Sequence, residues 1–172
     1  SVDVVQSIAL RDPRICLLRN DSNRGTAYTR MRGLTEARTD LVMFFDSDDL
    51  AEPELVSRLL GKLLEDDSIL GAGCYARYFN DVGDLGIPRI GPTSKEAFSD
   101  LYAKNKMLFM PPITLFHRKV ALDVGGYRTN IMPNNESVRY EDFSEDLDLW
   151  CRMSDFGAQG RYFITLPEPL FS

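Results

Sequence analysis

The chain has 172 residues, a length that suits one domain, and its 44% hydrophobic and 27% charged residues are ordinary for a soluble globular protein. A formal charge of −6 and a sequence pI near 4.8 argue against a generic nucleic-acid binder, which would carry a basic face. No apolar run approaches the ~20 residues of a membrane helix, and three widely spaced cysteines, Cys16, Cys74 and Cys151, argue against a zinc site or disulfide scaffold and for a reducing compartment. Each cysteine is expected to pack as a small apolar residue. No leader sequence is visible, and an opening on Ser1 rather than Met is what a fragment of a longer protein would show.

In chain order, Val2 to Leu10 has helical apolar spacing that Arg11-Asp12-Pro13 breaks. Ile15 to Leu18 reads as a short strand, Asn20 to Gly25 as a polar turn, and Thr26 to Ala37 as a helix with Ala27, Met31 and Leu34 inward. Leu41 to Phe45 reads as a buried strand. Pro53 opens a helix running through Leu55, Leu59, Leu60, Leu63 and Leu64. Ile69 to Phe79 is a strand that Gly71 and Gly73 allow to bend, and Asn80 to Thr93 is a loop or hairpin. Ser94 to Tyr102 is a capped helix, Ile113 to Phe116 a strand, and Lys119 to Val124 a helix stopped by Gly125-Gly126. Thr129 to Phe143 is polar and irregular. Glu145 to Met153 is a helix and Arg161 to Thr165 a last strand. The alternation predicts an α/β fold with a mostly parallel sheet flanked by helices.

Asp46-Ser47-Asp48-Asp49 follows the Leu41 to Phe45 strand directly, so three carboxylates sit where a strand becomes a loop. Clustered carboxylates repel one another, and a divalent cation relieves the conflict. Hard oxygen ligands suit Mg²⁺ or Mn²⁺, which keep positions open for substrate phosphates. Ligands of open α/β sheets bind at the carboxyl ends of strands. The residues themselves leave open a second reading, a solvated acid-rich turn that caps the next helix. The lone histidine, His117, has no nucleophile motif around it.

Taken together, these blocks resemble the family 2 glycosyltransferases. Asn23-x-Gly25, Arg30, the apolar strand, the acidic cluster and Pro53 are similar to the nucleotide-sugar half of that family. Gly125-Gly126-Tyr127 is similar to its Gly-Gly-aromatic turn, Glu145-Asp146-Leu147-Asp148-Leu149-Trp150 with Arg152 and Gly157 to its Glu-Asp helix, and Pro169-Leu170-Phe171 to its C-terminal segment. The resemblance implies a GT-A (Rossmann-like) fold, with residues 1–79 as the nucleotide-sugar half and 80–172 as the acceptor and catalytic half. The family's opening strand and its Asp-Asp-Gly-Ser loop have no counterpart, so the chain resembles a member lacking roughly forty N-terminal residues, judged at βαβ scale. Such a chain would expose a sheet edge, and an exposed edge invites self-association.

The resemblance also implies roles. Asp46 would contact the nucleoside sugar and Asp48 would hold Mn²⁺ or Mg²⁺ on the donor diphosphate, with Asp46 beside it. Asp49 would either support the metal-binding acids from behind or help cap the next helix, the cap being favoured because Pro53 and Glu54 suggest a helix start nearby. Arg30 would help hold the nucleotide, against the alternative of an exposed helix arginine. Asp146 would be the base that deprotonates the acceptor. Glu145, about 100° away on the helix, would do a different job; the alternative is that the two acids only complement the helix N-terminus, with Ser144 as cap. Trp150 could stack on a sugar, although a core position is the commoner use. The expected reaction is inverting transfer from a nucleotide sugar, UDP being the commonest carrier, to a glycan or lipid-linked acceptor at the inner face of the membrane, in the cytoplasm and without nucleic acid. Two rivals are a haloacid dehalogenase-like phosphatase, which also places Asp-x-Asp after a strand, and a non-catalytic module that binds a nucleotide or a partner.

Overall fold

The computed structural model describes residues 2–104, 108, 110–129 and 145–172. The predicted helices form as α1 (Val2–Ala9), α2 (Thr26–Glu36), α3 (Leu55–Leu63), α4 (Lys95–Ala103), α5 (Arg118–Asp123) and α6 (Glu145–Ser154). On α3, Leu55, Leu59 and Leu63 reach the core, as their 3–4 spacing requires, while Leu60 and Leu64 face outward. Ser94 caps α4 as expected, its side chain accepting from the Ala97 N–H at 3.1 Å. α1 departs from expectation: its apolar spacing is real, yet it buries none of its residues. The irregular segment expected after Thr129, and the Ser144 cap, lie outside the described residues.

Six strands form: β1 (Leu41–Val42), β2 (Ile69–Ala76), β3 (Tyr78–Asn80), β4 (Gly83–Gly86), β5 (Thr114–His117) and β6 (Tyr162–Phe171). Four make one sheet in the order β1-β5-β2-β6, and β3-β4 is a separate hairpin. β5 runs antiparallel to both β1 and β2, and only β2 and β6 pair in parallel. The sheet is therefore mixed rather than mostly parallel among the described residues. Apolar periodicity reveals that a segment is a strand, but direction comes from a partner distant in sequence.

Three other strand expectations change for related reasons. Ile15 to Leu18 finds no ladder partner among the described residues and stays outside the sheets, because an apolar run becomes a strand only by pairing. Only Leu41 and Val42 of the Leu41 to Phe45 run pair with β5, and no described strand covers the other edge of β1. β6 runs six residues past its expected end, through Pro167 and Pro169, which an edge strand accepts because a missing N–H there can face away from the ladder.

The core lies where β2, with Ile69 to Cys74 all buried, meets α3 on one side and the aromatic residues of β5, β6 and α6 on the other. Trp150 meets Phe116 edge-on at 5.0 Å between centroids and Phe163 at 5.5 Å. Cys74 packs in this core, where burial pushes its thiol up to about 12. Cys16 is exposed, contrary to the packing expected of it.

The acidic loop is held at the far end of β6. The Leu50 N–H donates to the Ser172 carbonyl at 2.6 Å, the Ser172 N–H returns a bond to Leu50 at 2.9 Å, and the Glu52 N–H donates to Leu170 at 2.9 Å. These bonds clamp the chain just after Asp49 to the C-terminal strand.

Candidate active site

Asp46, Asp48 and Asp49 line one side of a cleft of about 360 Å³; Tyr78 and Phe79 of the hairpin and Phe171 of β6 line the other. The loop is a tight turn in which the Asp49 N–H donates to the Asp46 carbonyl at 3.3 Å. Asp46 and Asp48 are exposed and Asp49 is half-buried. Burial, and then the charges of Asp46 and Asp48, push the Asp49 carboxyl above its ordinary value. Asp49 does not cap α3, whose cap position is Glu54 with no side-chain bond. That expectation gives way because the chain between them is taken up by the clamp to β6.

Arg30 is the junction of the site. Its Nη1 lies 2.8 Å from Glu145 Oε1 and 4.0 Å from Asp146 Oδ2, and its Nη2 lies 3.6 Å from Asp46 Oδ1. Its side chain is 19% exposed, so it is not a free surface arginine. Carboxylates about a hundred positions apart in sequence thus converge on one guanidinium. Glu145, at 13% exposure, is the closest partner of Arg30; Asp146 is more open and accepts the Leu147 N–H at 2.8 Å. Although about 100° apart on the helix, the two neighbours reach the same arginine.

An aromatic wall stands behind Arg30. The guanidinium sits 5.8 Å from the Phe44 ring centroid, and Phe44 meets Tyr127 edge-on at 5.4 Å and Phe116 at 6.4 Å. Burial pushes the Tyr127 phenol well up. Phe116 in turn packs on Trp150, which is only 3% exposed. Trp150 is therefore core, and its ring is not offered to a sugar; the expected stacking role is corrected by its position on the inner side of α6. Its indole N–H has no hydrogen-bond partner among the described residues.

Two further groups hold the scaffold. Arg152 donates to the carbonyls of Val124 at 2.5 Å and Gly126 at 2.6 Å while pairing with Asp148 at 2.5 Å. Asp148 is thus committed to locking the Gly125-Gly126 turn onto α6. Gly126, at φ 61°, lies so close to α2 that a Cβ there would meet the Met31 sulfur at 2.4 Å, next to Arg30. Arg118 donates to the Leu34 and Thr35 carbonyls at 2.8 and 2.9 Å and so closes the C-terminal end of α2. Asn23 shapes the turn, its side chain accepting the Gly25 N–H at 3.0 Å. His117 pairs with Leu41, at the end of β1 opposite the acids, and burial lowers its pKa.

Sequence reasoning missed Phe44, and it missed Tyr78 and Phe79 as cleft residues. All three read as ordinary strand residues, but β2 ends at Ala76 and the last two belong to the separate hairpin that lines the cleft.

Asp46, Asp48 and Asp49 outnumber Arg77 in the cleft, and Glu145 and Asp146 outnumber Arg30 beside it, so a diphosphate would be repelled unless a cation accompanied it. Asp46, Asp48 and Asp49 are hard oxygen donors in an open loop, and they fit Mg²⁺ or Mn²⁺, which bind through one or two carboxylates with substrate phosphates supplying further oxygens. Among the described residues no three acidic, His or Cys side chains are already gathered around one point. The ligand would have to complete such a site.

A mixed sheet flanked by helices, ending in an acidic strand-to-loop turn, defines a GT-A type domain, and solved structures agree. A mannosyltransferase from Pyrobaculum calidifontis in complex with GDP-Man and Mn²⁺ matches with a TM-score of 0.59 at 18% identity, over 96% of this chain and 41% of that one. The profile of Glycosyl transferase family 2 matches residues 1–125, and the chain belongs to that family. Among relatives, an uncharacterized glycosyltransferase of Haemophilus influenzae is 27% identical over 86% of this chain and 54% of its own length. A cholesterol galactosyltransferase of Borreliella burgdorferi is 26% identical over 85% and 42%. The chain thus spans about half the length of these relatives. The fold and family leave no support for the phosphatase reading. The family match ends before Glu145, so the meeting of Glu145 and Asp146 with Arg30 is an observation independent of it. No helix among the described residues is long and apolar enough to cross a membrane.

Proposed function

We propose that this chain carries the donor and catalytic site of a metal-dependent, inverting glycosyltransferase that moves a sugar from a nucleoside diphosphate to an acceptor hydroxyl. The observation that carries this reading is the convergence of Asp46, Glu145 and Asp146 on Arg30. Asp48, with Asp46 beside it, would hold Mn²⁺ or Mg²⁺, which when bound supplies Lewis-acid stabilisation of the diphosphate. Arg30 steers the donor by adding positive charge beside the acids, and Glu145 keeps that guanidinium in place. Asp146 stands at the start of α6 and takes the proton from the acceptor hydroxyl as its oxygen forms the new bond to the anomeric carbon. The bond from that carbon to the phosphate oxygen breaks in the same displacement, and the nucleoside diphosphate leaves with the electron pair. One base and one displacement invert the anomeric centre. Tyr78 and Phe79 line the cleft and would border the acceptor.

UDP is our first choice of carrier and GDP the second, since the mannosyltransferase of this fold is in complex with GDP-Man. A glycan or lipid-linked acceptor at the cytoplasmic face of a membrane fits the family, and the Borreliella relative's name pairs a sugar with a lipid. Calorimetric titration of UDP and then GDP, with and without Mn²⁺, tests the donor site. Mn²⁺-dependent binding that Asp48→Ala weakens on the order of 10- to 100-fold is expected. Binding indifferent to the metal, or intact in the variant, would sink the assignment, and no binding of either nucleotide by folded protein would favour the non-catalytic module.

A further inference from the structure

Residues 11–38 hold seven arginines against three acids, within a chain of formal charge −6. Arg30 is taken up by Asp46, Glu145 and Asp146. On α2, Tyr28 and Arg32 are four residues apart and share one side, whereas Arg30 lies roughly 200° around the helix from each. The side away from the cleft opens into a separate cavity of about 290 Å³, lined by Arg19, Arg24 and Arg32 with Asn20, Ser22 and Tyr28 between them and Asp21 as its single acid.

This pocket is organised. Arg32 Nη1 donates to the Arg19 carbonyl at 2.6 Å and to Asn20 Oδ1 at 2.9 Å. Asn20 Nδ2 donates to Thr29 Oγ1 at 2.9 Å, and that hydroxyl donates to the Gly25 carbonyl at 2.9 Å. The loop is thereby strapped to the helix, and Arg32 is half-buried and fixed. Arg24 folds back so that its guanidinium lies 4.4 Å from the Tyr28 ring centroid. Among the described residues none of the three guanidiniums forms a salt bridge, although all face one cavity. Three like charges gathered around a polar hollow repel one another unless an anion joins them. Guanidinium forks match phosphate oxygens in shape and charge. The excess of two positive charges over Asp21 matches a phosphate monoester, which carries about −1.5 to −2 at neutral pH.

We infer that this pocket is a second anion site, on the side of α2 opposite the acidic cleft, that takes a phosphate group. The site stands apart from the transfer chemistry proposed above. The same chemistry is offered by soluble phosphates and by a phosphomonoester lipid headgroup, and the test has an arm for each.

Inorganic phosphate and pyrophosphate are titrated calorimetrically into the whole chain at low ionic strength, with a chelator present so that the acidic cleft contributes no metal-bound anion site. Co-sedimentation with phosphatidylcholine vesicles is measured with and without phosphatidic acid. Saturable binding in either arm supports the site and says which source it prefers; binding in both identifies the phosphate group itself. Arg19→Gln with Arg24→Gln, both at exposed positions, should weaken that binding by about tenfold or more, with the thermal midpoint and Mn²⁺-dependent nucleotide binding unchanged. Asp21→Asn, which removes the only acid, should tighten it by about two- to fivefold and keeps the test informative if the double variant folds poorly. Absence of saturable binding in both arms, or equal binding by wild type and both variants, overturns the inference.

Discussion

Asp46 and the Glu145-Asp146 pair meet the same arginine from segments built in different ways. The first segment is an exposed turn at the end of a two-residue edge strand, clamped by backbone bonds to the end of β6. The second is the first turn of a helix whose opposite side is core, with Leu149, Trp150 and Met153 buried beneath it and Arg152 tying Asp148 to the Gly125-Gly126 turn. The contrast suits the two tasks proposed for them. Carboxylates that share a cation with an arriving ligand need room to rearrange around it. A base must be at its post before the acceptor arrives, because proton transfer depends on position first.

The contrast can be broken most sharply at Asp146. Asp146→Asn should lower the rate of sugar transfer on the order of 10²- to 10⁴-fold while leaving Mn²⁺-dependent nucleotide binding within error, as read by product formation and calorimetry on the same protein. Loss of nucleotide binding in this variant would mean that the two regions are not divided as proposed. On the other side, Asp48→Ala should weaken Mn²⁺-dependent nucleotide binding on the order of 10- to 100-fold with no change in thermal midpoint, because Asp48 is exposed.

The built-in character of the second region predicts a stability effect. Gly126→Ala should cost about 2 kcal/mol or more, since the new methyl group meets Met31 at a positive φ. In a chain of this size that is a fall of roughly 4–8 °C in the thermal midpoint. An unchanged midpoint would show that α2 can retreat from the turn, and that Arg30 is less firmly placed than the geometry indicates.

The smallest effect concerns pH and sharpens the account of the first region. Asp49 titrates above the ordinary carboxylate value. Without metal its charged form therefore costs stability at neutral pH, and the cost is relieved as the pH falls through the folded-state value toward the unfolded one. Asp49→Asn should remove that dependence and slightly raise the metal-free midpoint at pH 7. Metal binding has the opposite sign, because ligands must shed protons. Mn²⁺ affinity should weaken on acidification, and Asp49→Asn should move that loss to lower pH if Asp46 and Asp48 carry the ion. A loss at the same pH in the variant would assign the effect to another carboxylate.

The helices and the acidic turn could be named from the sequence, because their signals are local: a 3.6-residue period, a capping serine, carboxylates directly after an apolar run. The blocks around Gly125-Gly126-Tyr127 and Glu145-Asp146 were legible only as a combined pattern, and the structure gives that pattern its physical content in the Arg152 lock and the close approach of Gly126 to Met31. Pairing is non-local, and there the reading fell short. The direction of β5, the unpaired Ile15 to Leu18 segment and the run of β6 through two prolines all depend on neighbours that no local window contains. The burial of Trp150 and the place of Tyr78 and Phe79 in the cleft are of the same kind, since a side chain's face is set by what packs across from it. Residue types and short spacings thus settled which groups could do chemistry here, and the packing of distant segments settled which of them meet.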